Sequence, residues 1–217
     1  MDIRNLRYTS TDTAIAVNNE RAFLLLKRYY EPINKVTVVS FEKGSQGETV
    51  IDLDVDEAVY KISGNFINEQ IGYLFAFREE IGVHARGGSK LSNLYKTEDG
   101  GKTWDPINVQ AVPSISLQEH IIFAKMVSED VGIISGGYGP SDCDFCERTL
   151  LTTDGGVHWG NITALSQIDS AFLGAEITDF TPIDGSYILT IRDRASSSDY
   201  IYAKYQSSDL NTWIRIS

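Results

Sequence analysis

Thr97-Glu98-Asp99-Gly100-Gly101-Lys102-Thr103-Trp104 recurs further along the chain as Thr152-Thr153-Asp154-Gly155-Gly156-Val157-His158-Trp159. Both stretches fit Ser/Thr-x-Asp-x-Gly-x-Thr-Trp, with His158 in the threonine's place. We call this stretch the box. A repeat at such a period decides the architecture, because the chain is then built from copies of one unit. Trp213 stands one period beyond Trp159, preceded by Ser207-Ser208-Asp209-Leu210-Asn211-Thr212, a box shortened by a single position. Asn211 falls where a glycine would supply positive φ. Val50 stands one period before Trp104, preceded by Lys43-Gly44-Ser45-Gln46-Gly47-Glu48-Thr49. There Gly47 and Thr49 keep their places, Ser45 replaces the aspartate and Val50 the tryptophan.

A second landmark moves in step with the box. Asn18-Asn19-Glu20-Arg21-Ala22-Phe23-Leu24-Leu25 resembles Ile67-Asn68-Glu69-Gln70-Ile71-Gly72-Tyr73-Leu74 and Val127-Ser128-Glu129-Asp130-Val131-Gly132-Ile133-Ile134, and more loosely Pro182-Ile183-Asp184-Gly185-Ser186-Tyr187-Ile188-Leu189. Each reads as a polar turn, a small residue and a short apolar strand. The small residues Ala22, Gly72, Gly132 and Ser186 precede Val50, Trp104, Trp159 and Trp213 by close to half a period each time. Apolar runs rich in Val, Ile, Leu, Phe and Tyr, separated by Asn, Asp, Gly and Ser clusters, read as strands. They include Ala22 to Leu26, Val36 to Phe41, Gly72 to Phe77, Val131 to Ser135, Tyr187 to Ile191 and Tyr200 to Tyr205. No stretch sustains a 3.6-residue apolar period, which excludes a long helix; 115–120 and 164–175 have room for a helical turn. The expected fold is all-β, a four-bladed β-propeller of about 54-residue repeats at 1–54, 55–108, 109–163 and 164–217, forming a single domain over 1–217.

The box resembles the Asp-box, or BNR repeat, of sialidase- and sortilin-type propellers, most specifically over 97–104 and 152–159. That resemblance implies a β-hairpin between the third and outermost strands of each blade. Short acidic side chains accept bonds from the N–H groups of their own turn, so Asp99, Asp154 and Asp209 are expected to hold turns. Gly101 and Gly156 supply the left-handed backbone, and Trp104, Trp159 and Trp213 lock the hairpin between blades. These are structural assignments, and the aspartates are not expected to be catalytic. Residues 3–8 are expected to pair with the final strand and close the circle; the alternative is two chains completing a larger ring, so the chain is a monomer or a homodimer.

Thirty acidic against nineteen basic residues give a net charge of −11. That balance disfavours nucleic acid and anionic membranes and favours a basic protein partner. No apolar run is long enough to span a membrane, and Met1-Asp2-Ile3-Arg4-Asn5 does not open a signal peptide, so the cytoplasm is expected; a removed export signal would place the chain in the periplasm or outside the cell. Cys143 and Cys146 form a C-x-x-C with no second ligand pair for zinc and no βαβ setting for redox work, leaving a loop with a short disulfide or two thiols. His84 and His120 lack a recognisable catalytic partner. Arg28, Arg78, Arg192 and Arg194 are placed as a sialidase-like arginine triad would be, but the early arginine motif of those enzymes is missing. No cofactor, metal or catalytic residue is expected.

Binding in propellers falls on connecting loops. The second-to-third-strand loops, read as 28–34, 78–93, 138–148 and 192–199, are unlike one another in length and content. They hold Tyr29, Tyr30 and Glu31, then Arg78, Glu79, Glu80 and Arg86, then Tyr138, Asp142, Asp144, Phe145 and Glu147. Tyr and Arg are residue types enriched at protein-binding hot spots. The expected function is non-enzymatic binding of a basic protein, such as a toxin neutralised by a bacterial immunity protein or antitoxin. The alternatives are a glycan-binding or glycosidase-like propeller and an assembly factor for a membrane complex.

Overall fold

The computed structural model describes residues 11–17, 21–27, 35–44, 49–55, 59–80, 88–110, 121–136, 149–162, 176–194 and 200–217. All regular structure among them is β, in four sheets of four strands, and every sheet is a meander. Sheet 1 holds β1 (Thr11–Ala16), β2 (Arg21–Lys27), β3 (Lys35–Glu42) and β4 (Thr49–Asp54). Sheet 2 holds β5 (Val59–Phe66), β6 (Gly72–Glu80), β7 (Gly88–Thr97) and β8 (Asp105–Ile107). Sheet 3 holds β9 (Ile121–Met126), β10 (Gly132–Gly136), β11 (Thr149–Thr152) and β12 (Gly160–Asn161). Sheet 4 holds β13 (Glu176–Ile183), β14 (Ser186–Arg194), β15 (Tyr200–Ser207) and β16 (Ile214–Arg215). Each sheet falls inside one sequence repeat, and the six strand runs read from the sequence all fall on strands, except that Val131 stands one residue before β10. The segments 115–120 and 164–175 and the closing segment 3–8 lie outside the described residues.

The chain divides into two compact units, Met1–Glu79 with Lys90–Gln110 and Glu80–Ser89 with Ala111–Ser217. In the first, sheets 1 and 2 bury a shared core of Ile15, Phe23, Leu25, Val36, Val38, Ile62, Leu74, Ala76 and Trp104. Phe23 stacks on Phe66 at 5.1 Å, and Trp104 stands edge-on to both, 6.3 and 5.9 Å away. The Tyr95 hydroxyl, on β7, donates to the Asp54 carbonyl at the end of β4. In the second unit, Val131 and Ile133 of sheet 3 pack on Ile177, Phe180, Leu189, Ile191, Tyr205 and Trp213 of sheet 4. Each of these large side chains contributes about 1.5–3 kcal/mol when fully buried. The third strand of sheet 1 is buried on both faces, since Thr37 and Val39 are as enclosed as Val36 and Val38, which explains why Val36 to Phe41 reads as a continuous run rather than an alternating one.

A feature absent from the sequence reading repeats in every sheet. The first strand carries an extra residue opposite the second, at Asp12, Tyr60, Ile122 and Thr178, where the pairing register shifts. Such a bulge bends and twists the strand that carries it. The four positions share no residue type, so only the pairing reveals them.

Candidate functional site

Each full box is a turn built around one carboxylate. The box at 97–104 joins β7 to β8, 152–159 joins β11 to β12, and 207–213 joins β15 to β16, where the hairpin is expected. Asp99 Oδ1 accepts from the N–H groups of Lys102 and Thr103, each at 2.9 Å, and from the Thr97 hydroxyl at 2.9 Å; Asp99 Oδ2 accepts from the Thr103 hydroxyl at 2.7 Å. In the third sheet Asp154 accepts from the His158 N–H at 2.9 Å and the Thr152 hydroxyl at 2.9 Å, while His158 Nδ1 lies 2.6 Å from Oδ2. His158 therefore does the work of the missing threonine. Asp209 accepts from the Asn211 and Thr212 N–H groups at 2.9 and 2.7 Å and from the Ser207 hydroxyl at 3.0 Å.

The first box residue has a role the sequence reading leaves unassigned. Thr97, Thr152 and Ser207 are buried polar residues, and each hydroxyl also accepts a backbone N–H across the turn. The donors are Gly101 at 2.8 Å, Gly156 at 2.9 Å and Leu210 at 2.8 Å. The recurrence of Ser or Thr two places before each aspartate is the signal that could have found it. The shortened box also departs from expectation: the left-handed residue is Leu210, at φ 62°, and not Asn211. The full boxes use two successive positive-φ glycines, Gly100 with Gly101 and Gly155 with Gly156. With one residue deleted, a single left-handed residue must close the turn, and Leu210 stands at that point, its N–H taking over the bond that Gly101 makes in the longer box. Residues 45–48 of the most worn copy lie outside the described residues.

The two sequence landmarks keep step because they are bonded to each other. The Gly100 N–H donates to the Gln70 carbonyl at 2.8 Å, and Gly155 N–H to the Asp130 carbonyl at 2.9 Å. The acceptors sit in the turns joining the first two strands of the same sheet. Those turns are closed by Asn68 Oδ1, which accepts from Gln70 and Ile71 N–H, and by Ser128 Oγ, which accepts from Asp130 and Val131 N–H. In sheet 1 the Arg21 guanidinium donates to the Glu69 carbonyl of the sheet 2 turn. Sheet 4 instead turns in two residues, Asp184 and Gly185, both at positive φ, the combination a type I′ hairpin requires.

These bonds set the carboxyl chemistry. Desolvation is the largest single influence on Asp99 and acts to raise it, but the Thr103 N–H and hydroxyl, the Thr97 hydroxyl and the Lys102 N–H together outweigh it and hold the group at about 2, against an ordinary 3.8. The Thr212 and Asn211 N–H groups bring Asp209 to about 2. For Asp154 desolvation again opposes, and the His158 N–H and ring with the Thr152 hydroxyl lower it. Carboxylates held this low are permanently ionised acceptors in their own turns and unsuited to general-acid work near neutral pH. A folded-state value below the unfolded one means the unfolded chain binds more protons in between, so stability rises with pH across that interval. The boxes' contribution is expected to be complete above about pH 4 and lost as pH falls through about 2. Urea midpoints at pH 2.5, 3.5 and 5 check this: D99N/D209N should flatten the slope, and an unchanged slope would show that these carboxylates do not carry it.

The remaining sequence candidates separate into two groups. Arg78, Glu79 and Glu80, expected in a loop, belong to β6, and the backbone of Arg78 pairs with Val59 at the start of β5. The strand outlasts its apolar stretch because the ladder to β5 continues past Phe77, so the charged residues at its end resemble a loop in sequence. Arg192 and Arg194 likewise lie in β14, paired with Tyr202 and Tyr200. Tyr29, Tyr30, Glu31, Arg86, Tyr138, Asp142, Asp144, Phe145 and Glu147 lie outside the described residues, as do Arg28, His84, His120, Cys143 and Cys146. Among the described residues no three His, Cys, Asp or Glu side chains gather as a metal site, and no helix is long and apolar enough to cross a membrane.

No family model and no curated protein sequence matches the chain. Among solved structures, one described as YCF48 bound to D1 peptide aligns with 98% of this chain and 68% of its own, at 13% identity and a TM-score of 0.46. A xylan β-1,4-xylosidase from Bacillus halodurans C-125 aligns with 96% of this chain and 42% of its own, at 8% identity and a TM-score of 0.45. At these values neither neighbour identifies a family, a ligand or an activity for this chain.

Proposed function

We propose that the four sheets are the blades of one Asp-box propeller spanning 1–217 and that it acts without catalysis, by binding a basic protein in the cytoplasm. The observation that carries this reading is the saturation of the box carboxylates by their own turns. The most regular acidic residues in the chain are thereby committed to architecture, and recognition passes to the segments that differ from repeat to repeat. Tyr29, Tyr30, Glu31, Arg86, Tyr138, Asp142, Asp144, Phe145 and Glu147 are the proposed contacts, together with Arg78, Glu79 and Glu80 of β6. A net charge of −11 steers a cationic partner and speeds its association. A small acidic binder of this kind suits an immunity protein or antitoxin that covers a basic toxin.

The test is coexpression with the product of the adjacent gene, followed by titration. The expected result is a complex whose association rate falls steeply between low and physiological salt. Alanine at Tyr138 and Phe145 should weaken it at least tenfold, about 1.4 kcal/mol, with the urea midpoint unchanged. A complex indifferent to both salt and these loops would overturn the reading, and turnover of an aryl glycoside by the purified chain would replace it with the glycosidase alternative.

A further inference from the structure

Aspartate followed by glycine is the pair in which a main-chain nitrogen most readily attacks the side chain before it, because glycine has no Cβ to obstruct the approach. The chain holds three such pairs, Asp99-Gly100, Asp154-Gly155 and Asp184-Gly185. Their glycines are alike in backbone, at φ 75°, 73° and 75°, but their surroundings differ. In the boxes both reacting groups are held. The Asp99 carboxylate accepts from Thr97, Lys102 and Thr103 within its own turn, and the Gly100 N–H is given to the Gln70 carbonyl at 2.8 Å. Asp154 is held by Thr152 and His158, and the Gly155 N–H by the Asp130 carbonyl at 2.9 Å.

Sheet 4 has none of these restraints. Asp184 and Gly185 form the whole turn between β13 and β14, at φ 47° and 75°, and both are exposed, as are Pro182 and Ile183 before them. Among the described residues neither the Asp184 carboxylate nor the Gly185 N–H has a hydrogen-bond partner. A Cβ built on Gly185 meets nothing within 4 Å, whereas one on Gly100 stands 2.6 Å from the Arg21 guanidinium and one on Gly155 3.1 Å from the Glu129 carbonyl. Ring closure requires the aspartate backbone to rotate, and such local opening is easiest where the fewest bonds must break. In a full box the staple and the bonds to the carboxylate must break together. At the tip of sheet 4 no bond to either reacting group stands in the way.

We propose that Asp184 is a site of spontaneous isomerisation to isoaspartate, and that the boxes protect Asp99 and Asp154 from the same reaction. The Gly185 nitrogen attacks Asp184 Cγ and gives up its proton. The N–Cγ bond forms, a carboxyl C–O bond breaks, and the oxygen leaves as water, so that a five-membered succinimide closes. Water then adds back at one of the two ring carbonyls. Opening at Cγ restores aspartate; opening at the main-chain carbonyl leaves the chain running through the side chain, with no change in mass. Water leaves from the neutral acid, a form that Asp99, held at about 2, hardly takes near neutral pH. The product lengthens a two-residue turn whose length sets the register of β13 on β14, where Phe180 stacks on Tyr187 at 5.6 Å. The reaction is independent of the partner proposed above, and either can fail without the other.

The test is to age the full chain at 37 °C and pH 6, digest it, and read each position by electron-transfer fragmentation, which separates isoaspartate from aspartate. Isoaspartate at 184 is expected to accumulate at least tenfold faster than at 99 or 154. Ageing in a denaturing concentration of urea is the control, and there the three pairs should react within about threefold of one another, since each is aspartate before glycine in an open chain. D184N keeps a pair preferred in this turn type, so the fold is retained. It should close the same ring with loss of ammonia and gain isoaspartate faster than the parent chain. Equal rates at the three positions in the folded chain overturn the proposal. So does a tenfold excess at 184 that persists in urea, which would trace it to neighbouring sequence and not to structure, or a D184N chain that keeps its ammonia.

Discussion

Replacing Trp104 with alanine is expected to destabilise the first unit by about 3–5 kcal/mol, the usual cost of emptying a buried tryptophan site. Trp104 is 7% exposed and meets the Phe23–Phe66 stack edge-on. Its removal takes away two aromatic contacts worth about 0.5–1.5 kcal/mol each beyond area burial. Neighbouring side chains belong to two different sheets, each held by its own ladder, so collapse into the void is limited. Trp104→Phe provides the sharper comparison. No acceptor lies within reach of Trp104 Nε1 among the described residues, so this change also removes a buried donor that has no partner. Trp159 differs, because its indole N–H donates to the Gly156 carbonyl at 2.9 Å. Trp159→Phe should therefore cost about 1 kcal/mol more than Trp104→Phe, measured by urea denaturation; equal losses would mean that the indole bond contributes nothing.

Gly101→Ala is expected to cost about 2–5 kcal/mol through two separable effects. Gly101 has φ 88°, and an L-residue forced into left-handed backbone loses about 1–2 kcal/mol. A Cβ there would also stand 2.4 Å from Phe23 Cζ, and overpacking of this kind costs about 1–3 kcal/mol. Gly44→Ala isolates the first effect, since Gly44 has φ 81° and nothing within 4 Å of a built Cβ. The second effect is isolated by pairing Gly101→Ala with Phe23→Leu. Two residues in direct contact should couple favourably in a double-mutant cycle, and strict additivity would locate the strain elsewhere.

The two glycines of a full box show what can be read without coordinates. Asp99 reaches its partners within four residues along the chain, so the turn is written in local sequence and its residue types recur. The same holds for Asn68 and Ser128 in the companion turns. Leu210 escapes such a reading because a deletion reassigns the left-handed position, and residue type alone does not say which neighbour inherits it. The bulges at Asp12, Tyr60, Ile122 and Thr178 are illegible for another reason. They are a property of two strands in register, and no particular side chain is required to make them. Arg78 to Glu80 read as loop because their charge ends the apolar run, whereas backbone pairing prolongs the strand. The partner-facing expectations rest on segments that differ between repeats, where no second copy exists to check a reading.

The bond from the box glycine to the neighbouring turn staples one end of sheets 2 and 3. At the stapled end the length of chain is fixed, and sheet 4 shows the price of losing one residue there, a leucine held at φ 62°. At the other end, the connections from the second strand to the third, 28–34, 81–87, 137–148 and 195–199, differ in length while the four-stranded meander persists. Residues can be gained or lost there during evolution without moving the register of the ladder. A foreign peptide spliced between Lys27 and Lys35, or between Glu80 and Gly88, should thus be displayed by an unaltered sheet, while the same insert in a box would unfasten one.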